Sequence, residues 1–153
     1  MSVKDLYQEV IIDHYRNPRN FHKIDQANRH ADGLNPLCGD KLRVFVRIEA
    51  DVVKDIGFTG SGCAISIASA SMMTESVKLK TVEEAKAISE DFYQLLGKSG
   101  ETLPGSAKMG KLSVFSGVQG YPARIRCATL AWEALRAALS QSAVGSQQSA
   151  VPG

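Results

Sequence analysis

The sequence predicts an α+β fold, in which helices pack on one face of a small antiparallel β-sheet. A helical apolar stripe comes first, two alternating runs follow, and helical patterns return for the rest of the chain. The chain has 153 residues, of which 44% are apolar, and a net charge of +2. This size suits one domain. We assign residues 1–140 to it and expect the uncharged residues 141–153 to form a disordered tail.

The first elements follow from local pattern. Residues 2–16 carry apolar side chains at helical spacing, and Pro18 ends the helix because the residue before proline avoids helical geometry. Residues 18–37 are polar and suit a loop with at most one short strand. Residues 41–49 alternate apolar and polar side chains, as a half-buried strand does, and residues 52–59 supply a second strand. The two strands should pair as an antiparallel hairpin.

The second half of the chain is predicted to be helical. Thr81 and Glu84 form a capping box, and Gly97 suits the end of the helix that they start. Pro122 suits the first turn of the last helix. The stretch 98–121 is rich in glycine and otherwise irregular. The predicted helices cover residues 63–79, 82–96, 109–115 and 122–140.

Several classes of function are disfavoured. No basic run is longer than Arg124-Ile125-Arg126, so the chain lacks the electrostatic footprint of a nucleic-acid-binding protein. No apolar stretch reaches the roughly 18–20 residues of a membrane span. The N-terminus shows no signal-peptide core, so we expect a cytoplasmic protein, in which disulfides are disfavoured.

The three cysteines are the most informative residues. Cys38, Cys63 and Cys127 form no CxxC pair, and by spacing alone they fit buried small apolar residues. Their neighbourhoods favour thiolates instead. Cys38 lies in a loop before a glycine, whereas Cys63 and Cys127 lie near predicted helix starts, where the dipole favours an anion and lowers a thiol pKa.

Asp40 completes a set of four candidate metal ligands. It lies two residues after Cys38, and the glycine between them allows a sharp turn. Three thiolates and one carboxylate suit tetrahedral zinc. Such a site carries a charge of about −2 and needs a cation nearby. Arg124 precedes Cys127 by three residues on the same helix face, so it is our candidate for screening the site or pairing with Asp40.

Three motifs together carry a family resemblance: N-P-L-C-G-D at residues 35–40, G-S-G-C-A-I-S at 60–66, and R-I-R-C-A-T-L-A-W at 124–132. With H-Y-R-N-P-R-N at residues 14–20, the chain resembles the SufU/IscU family of iron–sulfur cluster assembly proteins over residues 3 to 140. The resemblance implies the α+β fold and a metal site at Cys38, Asp40, Cys63 and Cys127. In this family, SufU-type members bind zinc and accept persulfide sulfur from a cysteine desulfurase, whereas IscU-type members build a [2Fe–2S] cluster.

Departures from the IscU pattern favour the SufU branch. IscU has histidine directly before the third cysteine, where this chain has Arg126. Residues 120–124 replace its L-P-P-V-K chaperone-binding segment, and the stretch 98–121 resembles the SufU insertion. The resemblance therefore implies a zinc-dependent sulfurtransferase. We expect Cys38 to be the sulfur acceptor, because it lies on a predicted loop next to a glycine and so can move. Its expected partners are a SufS-type cysteine desulfurase and downstream cluster-assembly proteins, and we expect a monomer.

Two alternatives stay open at this stage. The same ligands fit a scaffold that holds a transient [2Fe–2S] cluster, with Asp40 making the cluster labile. A purely structural zinc site also explains four ligands, although it does not explain the use of an aspartate. His14 lies on the apolar face of the first helix, so we interpret it as a packed residue rather than a ligand.

Overall fold

One antiparallel sheet of three strands forms the centre of the molecule, in the order β1 (Arg29–Asn35), β2 (Asp40–Glu49), β3 (Val52–Ser61). These coordinates come from a computed structural model that describes residues 3–36, 39–97, 110–118 and 120–141. The predicted hairpin is confirmed, because β2 pairs with β3 through a two-residue turn. Ala50 and Asp51 in that turn both have positive φ (50° and 63°), as a tight hairpin requires.

Strand β1 is the element that local pattern predicted least well. It occupies seven residues of the stretch interpreted as a loop with at most one short strand. Its sequence, RHADGLN, contains no β-branched residue, so its intrinsic strand preference is low. Pairing with β2 from Arg29–Val46 to Asn35–Asp40 determines its conformation instead.

Among the described residues, four α-helices and a 3-10 helix accompany the sheet. They are α1 (Val3–Arg16), α2 (Ala64–Val77), α3 (Val82–Gly97), the 3-10 helix (Gly110–Val118) and α4 (Pro122–Leu139). The capping box before α3 is confirmed, since Thr81 N–H donates to Glu84 Oε1 (2.9 Å) and Glu84 N–H to Thr81 Oγ1 (3.0 Å). Helix α2 ends at Val77, two residues before its predicted end, because Leu79 has a positive φ of 69°.

The core lies between the sheet and the helices. Helix α4 packs on β1 and β2, and α2 packs against α1, α4 and β3. The inward side chains of β2 (Leu42, Val44, Val46) meet this layer and are fully buried. Trp132 of α4 stacks on Phe92 of α3, with ring centroids 4.5 Å apart. Helices therefore cover one face of the sheet, as predicted.

Helix α4 approaches β1 very closely at one point. A Cβ on Gly33 would lie 2.9 Å from the Leu130 carbonyl oxygen and 3.1 Å from Leu130 Cγ. Any side chain at residue 33 would push α4 away from the strand. Gly33 therefore sets the distance between β1 and the helix that carries Cys127.

Two further sequence-based expectations concern the C-terminal tail and membrane-spanning helices. Gln141, assigned to the predicted tail, donates from Nε2 to the His30 carbonyl (2.6 Å), and residues 142–153 lie outside the described residues. Among the helices that the structure describes, none is long and apolar enough to cross a membrane.

Candidate metal centre

Three of the four predicted ligands come together in space. Asp40, Cys63 and Cys127 each offer one ligand atom, and these atoms lie within 4.8 Å of one another. Asp40 is the first residue of β2, Cys63 is the N-cap of α2, and Cys127 lies in the second turn of α4. The fourth, Cys38, lies outside the described residues, between Pro36 and Gly39.

The Asp40 carboxylate lies at the N-terminus of α2 and is only 2% exposed. Its Oδ1 accepts a hydrogen bond from the Cys63 N–H (3.0 Å), and its Oδ2 accepts one from Ser66 Oγ (2.7 Å). The N-cap residue Cys63 makes no side-chain capping bond of its own. A carboxylate from the neighbouring strand therefore supplies the negative charge that a helix N-terminus favours.

Gly62 leaves room for this carboxylate. A Cβ on Gly62 would lie 3.0 Å from Asp40 Oδ1 and 3.2 Å from Ser66 Cβ. In the sequence, the Gly-Ser-Gly run of residues 60–62 marks the end of the second predicted strand. The structure adds a second role, because the missing side chain lets β2 and the start of α2 come together at the ligand cluster.

Cys127 is buried, with 2% of its surface exposed, and Asn35 Nδ2 donates to its Sγ across 3.9 Å. Burial raises the pKa of the Cys127 thiol well above its ordinary value of 9.0, and the neighbouring Cys63 and Asp40 raise it further. The expectation that the helix start lowers this thiol pKa is therefore wrong for Cys127. Removal of the thiol from water outweighs the helix dipole.

Among the described residues Arg124 forms no ion pair with Asp40, and the prediction that Arg124 screens the charge of the site stays a prediction. Arg124 is exposed whereas Asp40 is buried, and the hydrogen bonds to Asp40 come from Cys63 and Ser66 instead. The ion pairs among the described residues include neither Arg124 nor the exposed Arg126. The physical reason is that the N-terminus of α2 already satisfies the carboxylate, so no arginine has to be brought into the protein.

Comparison with known proteins identifies the family. A sequence model of the NifU-like N-terminal domain matches residues 6–128. The chain belongs to the NifU-like N-terminal domain family, which includes the SufU and IscU proteins.

Two relatives of this NifU-like domain match it over nearly all of its length. "Zinc-dependent sulfurtransferase SufU" of Bacillus subtilis (strain 168) is 40% identical over 144 residues, which are 94% of this chain and 96% of that protein. "Iron-sulfur cluster assembly scaffold protein IscU" of Streptococcus pyogenes serotype M1 is 38% identical over 142 residues, or 93% of this chain and 87% of that protein. The family resemblance drawn from the motifs is thus confirmed.

Solved structures share the fold of this NifU-like domain. A protein from Fervidobacterium islandicum AW-1, named FiSufU and assigned to the SUF system, aligns with a TM-score of 0.79 at 31% identity. The alignment covers 86% of this chain and 95% of that one. The predicted α+β architecture is confirmed.

Two polar residues of the centre were missed by sequence reasoning. Ser66 follows Cys63 by three residues, so helical spacing places both on one face of α2. Asn35 precedes Cys38 by three residues in the N-P-L-C-G-D run. Neither residue type suggests a metal site, because an amide or a hydroxyl is not a usual zinc ligand. The spacing to a candidate cysteine was the available signal.

His14 of this NifU-like domain is a packed residue, as predicted. It is 2% exposed, and its Nδ1 lies 2.7 Å from Ser71 Oγ. The ring therefore joins α1 to α2. Met72 and Met73 are likewise buried in the core.

The donor set fits zinc. Thiolate and carboxylate are both zinc ligands, with bonds of about 2.0–2.3 Å, so donors around a tetrahedral ion lie about 3.5 Å apart. The atoms of Asp40, Cys63 and Cys127 need to approach one another by little more than about 1 Å to reach that spacing. Three ligands on three different elements can thus hold an ion, with one position left for a fourth donor.

Proposed function

We propose that this protein is a zinc-dependent sulfurtransferase that accepts persulfide sulfur from a cysteine desulfurase for iron–sulfur cluster biogenesis. One observation carries the proposal: Asp40, Cys63 and Cys127 converge within 4.8 Å, and Cys38 lies two residues from Asp40 in the chain. The 40% identity to the Bacillus subtilis protein supports zinc and sulfur transfer as its chemistry.

In this proposal Cys38, Asp40, Cys63 and Cys127 are the metal ligands. Zinc, when bound, keeps the coordinating thiols deprotonated at neutral pH. Cys127 illustrates the need, because without a metal its burial, and then the neighbouring Cys63 and Asp40, raise the pKa of its thiol above the ordinary value. Cys127 and Asp40 are both buried and hydrogen-bonded, so they hold the site in place rather than react.

Cys38 is the proposed sulfur acceptor. Pro36 and Gly39, the nearest described residues in the chain, are both exposed. A Cβ placed on Gly39 would have no atom within 4 Å, so the space around it is open. These flanks favour a cysteine that a partner can reach, in contrast to buried Cys127. The neighbouring Gly39, which has a positive φ of 73°, also suits a ligand that has to leave the metal, since a metal-bound thiolate is a weakened nucleophile.

The proposed sulfur transfer needs no oxidant, because one S–S bond forms as another breaks. The Cys38 thiolate attacks the outer sulfur of the desulfurase persulfide and forms a new S–S bond. The S–S bond of the desulfurase breaks, and its cysteine leaves as a thiolate. Cys38 then carries the persulfide. A side chain of the desulfurase is proposed to take the ligand position that Cys38 vacates.

The face around Asn35 is the proposed docking region for the desulfurase. Leu34 is 63% exposed and, together with Pro36 and Arg126, lines a shallow groove there. Arg124 and Arg126 are exposed cations on the adjoining α4. An acidic, partly apolar partner surface fits this face.

The decisive experiment combines metal analysis with a desulfurase assay. Protein purified without oxygen is expected to hold one zinc per chain and to show no visible absorbance. It should stimulate cysteine desulfurase turnover, and Cys38→Ser should abolish that stimulation. Ser76→Ala is the control, because the Ser76 hydroxyl donates to the Met72 carbonyl within α2 and contacts none of the described ligands. This variant should stimulate the desulfurase as the wild type does. Equal stimulation by Cys38→Ser and wild type would show that Cys38 is not the acceptor.

A second candidate is a scaffold for a [2Fe–2S] cluster. The 38% identity to the Streptococcus pyogenes scaffold protein favours it, and the donor set of Asp40, Cys63 and Cys127 also suits iron. Visible absorbance from a cluster in the anaerobically purified protein would favour this candidate. Zinc without any stimulation of the desulfurase would instead indicate a structural metal site.

A further inference from the structure

The hydroxyl of Ser66 contacts two of the proposed ligands. It donates to Asp40 Oδ2 at 2.7 Å, and its oxygen lies 3.6 Å from Cys63 Sγ. Ser66 is fully buried, so water does not compete for these contacts.

Two other helical serines, Ser76 and Ser89, behave differently. Ser76 donates to the Met72 carbonyl and Ser89 to the Ala85 carbonyl, four residues earlier in each helix. Ser66 lies in the first turn of α2, where the residue four positions earlier is Gly62, outside the helix. Its hydroxyl donates to a carboxylate on β2 instead.

The two hydrogen bonds hold the carboxylate of Asp40 at both oxygens. The Cys63 N–H occupies one site on Oδ1, and the Ser66 hydroxyl occupies one on Oδ2. A carboxylate has about four acceptor sites, so each oxygen keeps one more. Binding of a metal through both oxygens would compete with the Ser66 bond, whereas binding through one oxygen leaves the other with its donor.

We propose that Ser66 is a positioning residue that makes Asp40 a one-oxygen ligand and thereby sets how tightly the metal is held. The inference rests on the proposed function in one respect, since it takes Asp40 and Cys63 as ligands. Ser66 acts through Asp40, as outer residues around metal sites commonly act through the ligands that they orient.

The test is the Ser66→Ala variant, measured with zinc alone and with cobalt alone. Competition against a chromophoric chelator is expected to show zinc affinity lowered by about ten- to a hundredfold. The visible spectrum of the cobalt-substituted variant should differ from wild type, because the carboxylate is released to bind through both oxygens. Ser66→Thr keeps the hydroxyl and should restore both readouts; it also keeps the test decisive if Ser66→Ala fails to fold.

Ser69→Ala is the matched control. Ser69 is fully buried on the same helix, but its hydroxyl donates to the Ala128 carbonyl and accepts from Trp132 Nε1, neither of which is a ligand. We expect Ser69→Ala to lower the thermal stability without changing the zinc affinity or the cobalt spectrum. Loss of affinity in both variants to the same extent would overturn the proposal.

A double-mutant cycle tests whether Ser66 affects zinc affinity through Asp40. In an Asp40→Ala background, Ser66→Ala should cause no further loss of zinc affinity. Additive losses would overturn the proposal, as would wild-type affinity in Ser66→Ala. If the desulfurase assay fails but the cycle is non-additive, the proposed function falls and the role of Ser66 stands. If the wild type binds neither zinc nor cobalt, both fall.

Discussion

The side-chain amide of Asn35 donates from Nδ2 to the sulfur of Cys127 across 3.9 Å, joining the end of β1 to α4. The two residues are far apart in the chain, and both are buried. An N–H donor favours the negatively charged form of a sulfur, so Asn35 favours the thiolate form that Cys127 needs in its proposed role as a ligand.

Replacing Asn35 with alanine should therefore weaken metal binding. We expect the zinc affinity of Asn35→Ala to fall by about tenfold, measured by chelator competition. Asn28→Ala is the control, because Asn28 bridges the backbone N–H and carbonyl of Ile48, outside the ligand cluster. A similar loss of affinity in both variants would indicate a general loss of stability rather than a role at Cys127.

The raised pKa of Cys127 predicts a pH dependence for the metal-free protein. The folded thiol keeps its proton above pH 9.0, whereas the thiol of the unfolded chain ionises there. The unfolded state then binds fewer protons, so the free energy of unfolding falls as pH rises above about 9. Urea denaturation of zinc-free protein between pH 7 and pH 10 measures this. Cys127→Ala should reduce the slope, and an unchanged slope in that variant would contradict the assignment.

Gly33 allows a test of how α4 is placed. Gly33→Ala introduces a Cβ 2.9 Å from the Leu130 carbonyl oxygen, so α4 has to move away from β1. We expect a loss of about 1–3 kcal/mol in the free energy of unfolding, together with weaker zinc binding through displaced Cys127. In the control Gly120→Ala, nothing lies within 4 Å of the new Cβ, and the change should stay within about 0.5 kcal/mol. Equal effects would refute the close-approach argument.

The buried His14 predicts sensitivity to acid. Burial, and then the positive charge of Arg19, lower the pKa of His14 below 6.5. The Arg19 N–H donates to Ser71 Oγ (2.9 Å), and the Ser71 hydroxyl can donate in turn to Nδ1 of a neutral His14 (2.7 Å). Protonation breaks this arrangement. Because the unfolded histidine takes up its proton first, stability is lost as pH falls from 6.5 through the lower folded pKa.

This acid sensitivity can be measured by chemical denaturation between pH 7.5 and pH 5. His14→Gln should flatten the loss of stability over that interval. Replacement of the exposed His22 serves as the control and should leave the loss in place. If His22→Gln flattens the curve and His14→Gln does not, the assignment to His14 is wrong.

Sequence pattern predicted those elements whose conformation is determined by residues close to them in the sequence. The capping box of Thr81 and Glu84 and the hairpin of β2 and β3 needed only local rules. Strand β1 was understated because pairing with β2, not its own composition, makes it a strand.

For the candidate site, the sequence likewise predicted some features and not others. Residue types and motifs predicted that Asp40, Cys63 and Cys127 belong together, and the structure brings them together. Their electrostatics could not be read from the chain. Burial of Cys127 reversed the expected direction of its pKa, and the N-terminus of α2 rather than Arg124 donates to Asp40. Both features arise from packing between elements that are distant in sequence.

The order of the proposed ligands along the chain has a consequence for biosynthesis. Asp40 and Cys63 lie in the first half of the chain, and Cys127 follows 64 residues after Cys63, in the last helix. At about 5–20 residues per second, the ribosome takes several seconds to add that stretch. During this time the nascent chain offers an incomplete ligand set, which holds an ion weakly. Metal capture is therefore expected only after translation has completed α4, which makes zinc loading a late step in the maturation of the protein.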